Sequence, residues 1–295
     1  MLKRFILLAG LAALIYSCAR PLAQFNYTEQ DYEVLDSISF ENISEKAELY
    51  FWDFGDGDTS NLANPSHNYL RSGNYEVTLK ATKGNKVDSI SKRVLVRATD
   101  HCLVELSTSK GNIYIELYED TPLHRANFMK LVEMEFYNGL LFHRVIDGFM
   151  IQGGDPKSKG AKASDALGSG GPGYQVPNEI EVGHVHIKGA LAAARTADEF
   201  NPQKESSGSQ FFIVHGSKLN EKMLESFEAR NGMHYTPEQR ADYLKYGGTP
   251  FLDGQYTVFG RVIEGFDVID AIASVQKDAK DRPVEDIDMN IKFID

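Results

Sequence analysis

Phe142-His143-Arg144-Val145-Ile146-Asp147-Gly148-Phe149-Met150-Ile151-Gln152-Gly153-Gly154-Asp155 is the stretch on which the reading of this chain turns. Apolar bulk at Phe149 and Met150 alternates with polar groups, Arg144 and Gln152, in a run with the period of a strand. A lone arginine near aromatics is ordinarily a solvated edge residue. Two further blocks argue against that here. Ser206-Ser207-Gly208-Ser209-Gln210-Phe211-Phe212-Ile213-Val214 again sets an amide and an aromatic two apart, and Thr249-Pro250-Phe251-Leu252-Asp253-Gly254-Gln255-Tyr256-Thr257-Val258-Phe259-Gly260 adds aromatics at a turn. Aromatics and amides in three blocks suggest an apolar groove with a few fixed donors, the usual form of a peptide or ligand site.

Around these blocks the pattern is mainly β. Val104 and Leu106, then Ile113, Ile115 and Leu117, read as two strands joined at Lys110-Gly111. Thr121-Pro122 opens a helix with Thr as N-cap, and Phe266 to Ile272 reads as a second helix. Residues 221–248 look like an insertion. Thr236-Pro237-Glu238-Gln239 is a capping-box start, and Gly247-Gly248 ends that helix. Met223, Leu224 and Phe227 suit helical core packing better than a partner-binding stripe. Two short helices here either shape substrate choice or are a neutral decoration.

Taken together, the three blocks resemble the cyclophilins, over about residues 102–294. The resemblance implies an eight-stranded antiparallel barrel closed by helices and peptidyl-prolyl cis-trans isomerase activity without a cofactor. It implies that Arg144 is the catalytic arginine, with Phe149 and Gln152 beside it. Met150, Phe212 and Leu252 would receive the proline ring with Phe149. Gln152 and Gln210 would position the peptide, and Ala194 would present backbone to it. Three positions depart from the pattern. Arg195 stands where many members have an Asn that makes a backbone contact, Phe251 stands for Trp and Tyr256 for His. Phe251 keeps an apolar wall but lacks an indole N–H, which should weaken cyclosporin binding more than catalysis.

Residues 31–98 carry period-two patterns, with Tyr50, Trp52 and Phe54 on one face and Tyr75, Val77, Leu79 and Ala81 on another. Several short strands at this spacing suggest a small β-sandwich. Trp52-Asp53-Phe54-Gly55-Asp56-Gly57, Pro65-Ser66-His67-Asn68-Tyr69 and Gly73-Asn74-Tyr75-Glu76-Val77-Thr78-Leu79 resemble a PKD domain, similar to immunoglobulin-like sandwiches, from about residue 25. Such a domain implies a spacer or a module contacting protein or polysaccharide. Asp53, Asp56 and Asp58 lack the spacing of an EF-hand loop, and tight Asp-Gly turns account for them. His184 and His186 have strand spacing for two ligands on one face but no third ligand nearby, so no metal is expected. Gly168-Ser169-Gly170-Gly171-Pro172-Gly173 fits a dinucleotide fingerprint, yet no helix follows; a flexible loop on the barrel rim is the better reading.

Lys3 and Arg4 precede an apolar run from Phe5 to Ile15 that ends at Ser17-Cys18, the form of an export signal with a lipoprotein cleavage site. Ile15 and Tyr16 depart from the usual residues, and an ordinary secretory signal with an incidental Cys is the rival reading. Lipidation at Cys18 would place residues 18–30 as a tether in a bacterial cell envelope. Ala19, where Asp often signals inner-membrane retention, points to the periplasmic side of the outer membrane. With 31 basic and 42 acidic residues the formal net charge is −11, which argues against a nucleic-acid binder. Two Cys exclude a disulfide-stapled scaffold. The expectation is an exported isomerase, residues 99–295, acting on proline-containing clients. The alternative is a non-catalytic chaperone or adaptor that holds proline peptides, favoured by Arg195 and Tyr256.

Overall fold

The structure is a computed structural model and describes residues 20–98 and 102–294. The expected signal with Cys18 lies outside the described residues. The described chain forms two compact units, one on each side of the 99/100 boundary.

In the first unit a five-stranded sheet runs in the order Tyr32–Glu33, Lys86–Arg97, Gly73–Lys83, Leu49–Asp53, Thr59–Ser60. Two short pairs join it, Phe25–Asn26 with Glu41–Asn42 and Ser37–Ser39 with Ser66–Asn68. Alternation puts Val77, Leu79 and Ala81 inside. Trp52 pairs with Leu79 in register, is fully buried against Phe25 at 5.1 Å, and donates its indole N–H to Leu62 O at 3.0 Å. Tyr50, expected on that face, is only half-buried. The acidic turn is held by its own backbone: Asp53 Oδ1 accepts from Gly55 N–H and Asp56 Oδ1 from Asp58 N–H. Gly55 has φ +83°, and a Cβ there would stand 2.9 Å from Glu76 O. Asp56 Oδ2 shares a 2.7 Å hydrogen bond with His67, whose ring stacks on Phe54. Burial pushes the Asp56 carboxyl up, but the His67 hydrogen bond and backbone donors outweigh it and hold it below the usual range. Asp56, Asp58 and His67 bring ligand atoms within 4.8 Å of one another; Asp53 is not in that group.

In the second unit the barrel strands are β1 (Cys102–Thr108), β2 (Gly111–Leu117), β3 (Leu140–Leu141), β4 (Arg144–Ile146), β5 (Met150–Gly153), β6 (Ala190–Ala193), β7 (Phe211–Val214), β8 (Val258–Glu264) and β9 (Asp288–Phe293). All pairings are antiparallel, in the order β3-β9-β1-β2-β8-β6-β7-β5-β4. The two ends of that order are successive pieces of one run. Between them Phe142 N–H still donates to Ile287 O beside β9, and His143 N–H already donates to Gln152 O on β5. The sheet therefore returns on itself as eight runs, one of them broken at Phe142-His143. The interior holds Val104, Leu106, Ile113, Ile151, Phe211 and Ile213.

Helices α1 (Pro122–Glu133) and α4 (Phe266–Ala273) pack Phe128, Leu131, Ile269 and Ile272 against that core. Thr121 occupies the N-cap position of α1 but makes no side-chain cap bond. The Glu179 carboxylate takes its place, accepting from Leu123 N–H and His124 N–H at 2.9 Å each. Helices α2 (Glu221–Asn231) and α3 (Pro237–Tyr246) form the insertion. The capping box at Thr236 and Gln239 is made in both directions, and Gly247 follows the last turn. Among the described residues the barrel unit thus has four α-helices, two of them contributed by the insertion. No helix among the described residues is long and apolar enough to cross a membrane.

Candidate active site

Strand alternation creates the site. On β5, Ile151 points into the barrel while Met150 and Gln152 point out; on β7, Phe211 and Ile213 point in and Phe212 points out. Met150, Phe212, Leu252 and Ala194 belong to a second, external apolar cluster, with Phe149 and Tyr256 partly buried on it. The proline-pocket residues named from the sequence are therefore gathered in one place. Antiparallel register sets Arg144 opposite Gln152 and Gln152 opposite Phe212. Arg144 Nη1 lies 3.4 Å from Gln152 Oε1, and its guanidinium is 5.9 Å from the Phe149 ring centroid. Gln152 Nε2 donates to Gln210 Oε1 at 3.0 Å, and Gln210 Nε2 donates to Gly170 O at 2.7 Å. One chain of amides thus runs from the guanidinium to the glycine-rich loop.

That loop is not loose. The buried Asp155 carboxylate accepts from the N–H groups of Lys157, Gly168 and Gly170. A Cβ on Gly170 would stand 2.0 Å from Asp155 Oδ1, so only glycine fits there. The loop walls a cleft of about 460 Å³ whose other side includes Gln152, Gln210, Ala194 and Arg195. The fingerprint G-x-G-x-x-G therefore serves as an anchored wall rather than the flexible rim expected. Asp155 ends the first block, and no spacing in the sequence ties it to glycines 13 and 15 positions further on.

Ala194 and Arg195 differ from expectation in a paired way. Ala194 N–H donates to Gln210 O and its carbonyl accepts from Ser207 N–H, so both backbone groups are used internally. Among the described residues the backbone N–H and carbonyl of Arg195 have no such partner. The Arg195 side chain is only 5% exposed: Nε donates to Gln255 O at 2.9 Å, Nη1 pairs with Asp198 at 2.5 Å, and the guanidinium covers the Tyr256 ring at 4.5 Å. The side chain is committed to Asp198, Gln255 and Tyr256, while the residue lines the cleft with its backbone N–H and carbonyl not used internally. Tyr256 in turn packs edge-on to Phe212 at 5.8 Å. Phe251 stands at the rim, 45% exposed, 5.5 Å from Phe149.

Sequence reasoning missed the anchor beneath this rim. Asp253 is fully buried and accepts four hydrogen bonds: from His186 N–H and Nδ1, and from the hydroxyls of Tyr235 and Tyr243. Burial, reinforced by the Asp253 charge, raises both tyrosines far above their usual range, so they remain donors. His184 and His186 lie outside any strand and turn apart, to Asp120 and Asp253. They form no shared ligand pair.

The chain matches the family model for cyclophilin type peptidyl-prolyl cis-trans isomerases over residues 103–292 and the PKD domain model over residues 18–97. A Staphylococcus saprophyticus protein named as a peptidyl-prolyl cis-trans isomerase is 36% identical over 183 residues, covering 62% of this chain and 86% of that one. A Streptococcus pyogenes protein named as a bifunctional phosphatase/peptidyl-prolyl cis-trans isomerase is 36% identical over 187 residues, and this chain spans 37% of its length. A cyclophilin type isomerase of Cryptosporidium parvum with a solved structure is 25% identical, covers 66% of this chain and 98% of its own, and has a TM-score of 0.49.

Proposed function

The chain belongs to the cyclophilin-type peptidyl-prolyl cis-trans isomerases, and from that premise we propose that Arg144 assists rotation of an Xaa-Pro bond whose proline ring sits among Phe149, Met150, Phe212 and Leu252. The observation that carries this reading is the Arg144–Gln152–Gln210 chain beside an outward apolar cluster. An amide resists rotation by about 18–20 kcal/mol because of conjugation. Rotation needs no nucleophile, only stabilisation of the twisted bond. As the bond twists, the prolyl nitrogen regains its lone pair, and the guanidinium donates to that nitrogen or holds the neighbouring carbonyl. Acceleration from ~100 s to ~10 ms amounts to about 5.5 kcal/mol. A hydrogen bond to a charged group supplies roughly 1.5–3 kcal/mol of this. The pocket, Gln152 and Gln210 supply the remainder by fixing the proline and its backbone.

The test is NMR exchange on a short Xaa-Pro peptide. The wild-type protein accelerates exchange, and Arg144→Ala slows it by about 10–100-fold. Because a guanidinium stays charged, the rate is flat between about pH 6 and 8. Binding of the peptide without acceleration in the wild type would establish a holding chaperone instead.

The same reading extends to where the enzyme works. The signal-like run from Lys3 to Cys18 supports export and lipidation at Cys18, with envelope proteins as clients and the PKD domain as a spacer or contact module. One acyl chain alone holds a protein to a bilayer marginally, whereas the several on a lipoprotein cysteine anchor it stably. Labelled palmitate should enter the protein in cells and be lost in Cys18→Ser; equal labelling of both would refute the anchor.

A further inference from the structure

A row of aromatic rings continues past the proline pocket onto the insertion. Phe149, at the pocket, lies 5.5 Å from Phe251, and Phe251 lies 6.4 Å from Phe227 on α2. Met223, Phe227 and Arg230 are spaced i, i+4, i+7 and so share one face of that helix. Arg230 covers Phe227 at 5.6 Å, and among the described residues it has no ion-pair partner. Phe251 and Met223 are 45% and 38% exposed. The apolar surface is thus continuous from the proline pocket outward, and it ends on an uncompensated cation.

The helix under this surface is rigidly founded. Asn220 caps its start, Gly232 ends it in the left-handed region at φ 66°, and Asn231 donates to Pro250 O beside Phe251. Arg240 of α3 pairs with both Glu221 and Glu228 of α2. Leu224 is buried with Tyr235 and Tyr243, the tyrosines that bind Asp253. A preformed surface loses little ordering entropy when a ligand covers it.

We propose that Met223, Phe227 and Arg230, with Phe251, form a second subsite that selects client segments by an aromatic or long aliphatic side chain near the proline, with an acidic residue beside it. The occupant is the client polypeptide itself, because the surface is continuous with the pocket that takes its proline; the proposal rests on that pocket assignment. The two ring-to-ring steps span at most about 12 Å, which an extended chain covers in roughly three or four residues. A short tetrapeptide would leave the subsite empty, while an unfolded client would fill it.

The experiment uses the full chain and ten-residue prolyl peptides, each with one Phe scanned up to four residues before or after the proline, against all-alanine peptides. Exchange by NMR gives kcat/KM and KM. The expected result is a tenfold or greater preference for Phe at one position, carried by KM. Phe227→Ala brings that preference to twofold or less. Arg230→Glu, at an exposed site, reverses the preference between Asp and Lys beside the Phe, so the test survives if the Phe227 variant folds poorly. No preference above twofold at any position, or a preference unchanged in both variants, overturns the subsite while leaving the pocket intact. Absence of turnover on every peptide, alanine included, overturns the pocket assignment and the subsite with it.

Discussion

Both ring nitrogens of His143 are buried without a hydrogen bond of normal geometry. Burial lowers its pKa against the opposing pull of the Asp155 carboxylate and the Leu141 carbonyl. His124 is shifted the same way, burial outweighing its bond to Glu179. The unfolded chain protonates these residues as pH falls below about 6.5, while the folded state still excludes the proton. Their contribution to stability is complete above that value and is lost toward the lower folded pKa. Each such group costs up to about 1.4 kcal/mol per pH unit in the window between its two pKa values. The barrel unit should therefore melt lower at pH 5.5 than at pH 7.5, and His143→Leu should shrink that difference with little loss at pH 7.5, since no hydrogen bond is sacrificed. An identical pH difference in the variant would show that His143 is not a source of the acid lability.

The insertion helices depend on one carboxylate. Asp253 binds His186, Tyr235 and Tyr243 at full burial, next to Leu252 of the pocket. Asp253→Asn places a donor where an acceptor is needed and should cost about 3 kcal/mol, because a buried hydroxyl or ring N–H is left unpaired. Thermal denaturation should record the loss, and KM should rise as Phe251 and Leu252 shift; an unaltered melting temperature would exclude the carboxylate as the anchor. The helices themselves were legible: Thr236, Gln239 and Gly247 are local signals and act locally. So were the outward residues of β5 and β7, since alternation has period two and the register follows it. The partners of Thr121, Ala194 and Arg195 were not. Glu179 reaches α1 from 55 positions away, and Arg195 meets Tyr256 only because the barrel brings two loops together. Spacing along the chain carries local hydrogen bonds and leaves those contacts unspecified.

On the scale of the whole molecule, each unit carries its own core and neither relies on a disulfide among the described residues, where Cys102 is free. The mainly β reading follows from alternation alone, while closure of the barrel required the pairing of β3 with β9 and of β4 with β5, which no local pattern states. That closure has a consequence for the backbone the molecule leaves open. A strand at the rim of an open sheet offers a row of free N–H and C=O groups on which non-native polypeptides can template themselves. Among the described residues the barrel's strand order ends on runs of only two and three residues, Leu140–Leu141 and Arg144–Ile146, whereas in the five-stranded sheet Tyr32–Glu33 covers the long strand Lys86–Arg97 only at Val96 and Arg97. On that outer stretch Lys86, Asp88, Lys92 and Arg93 supply charges of the kind that discourage a foreign strand from adding, so resistance to templating rests on closure in the barrel and on side-chain charge in the first unit.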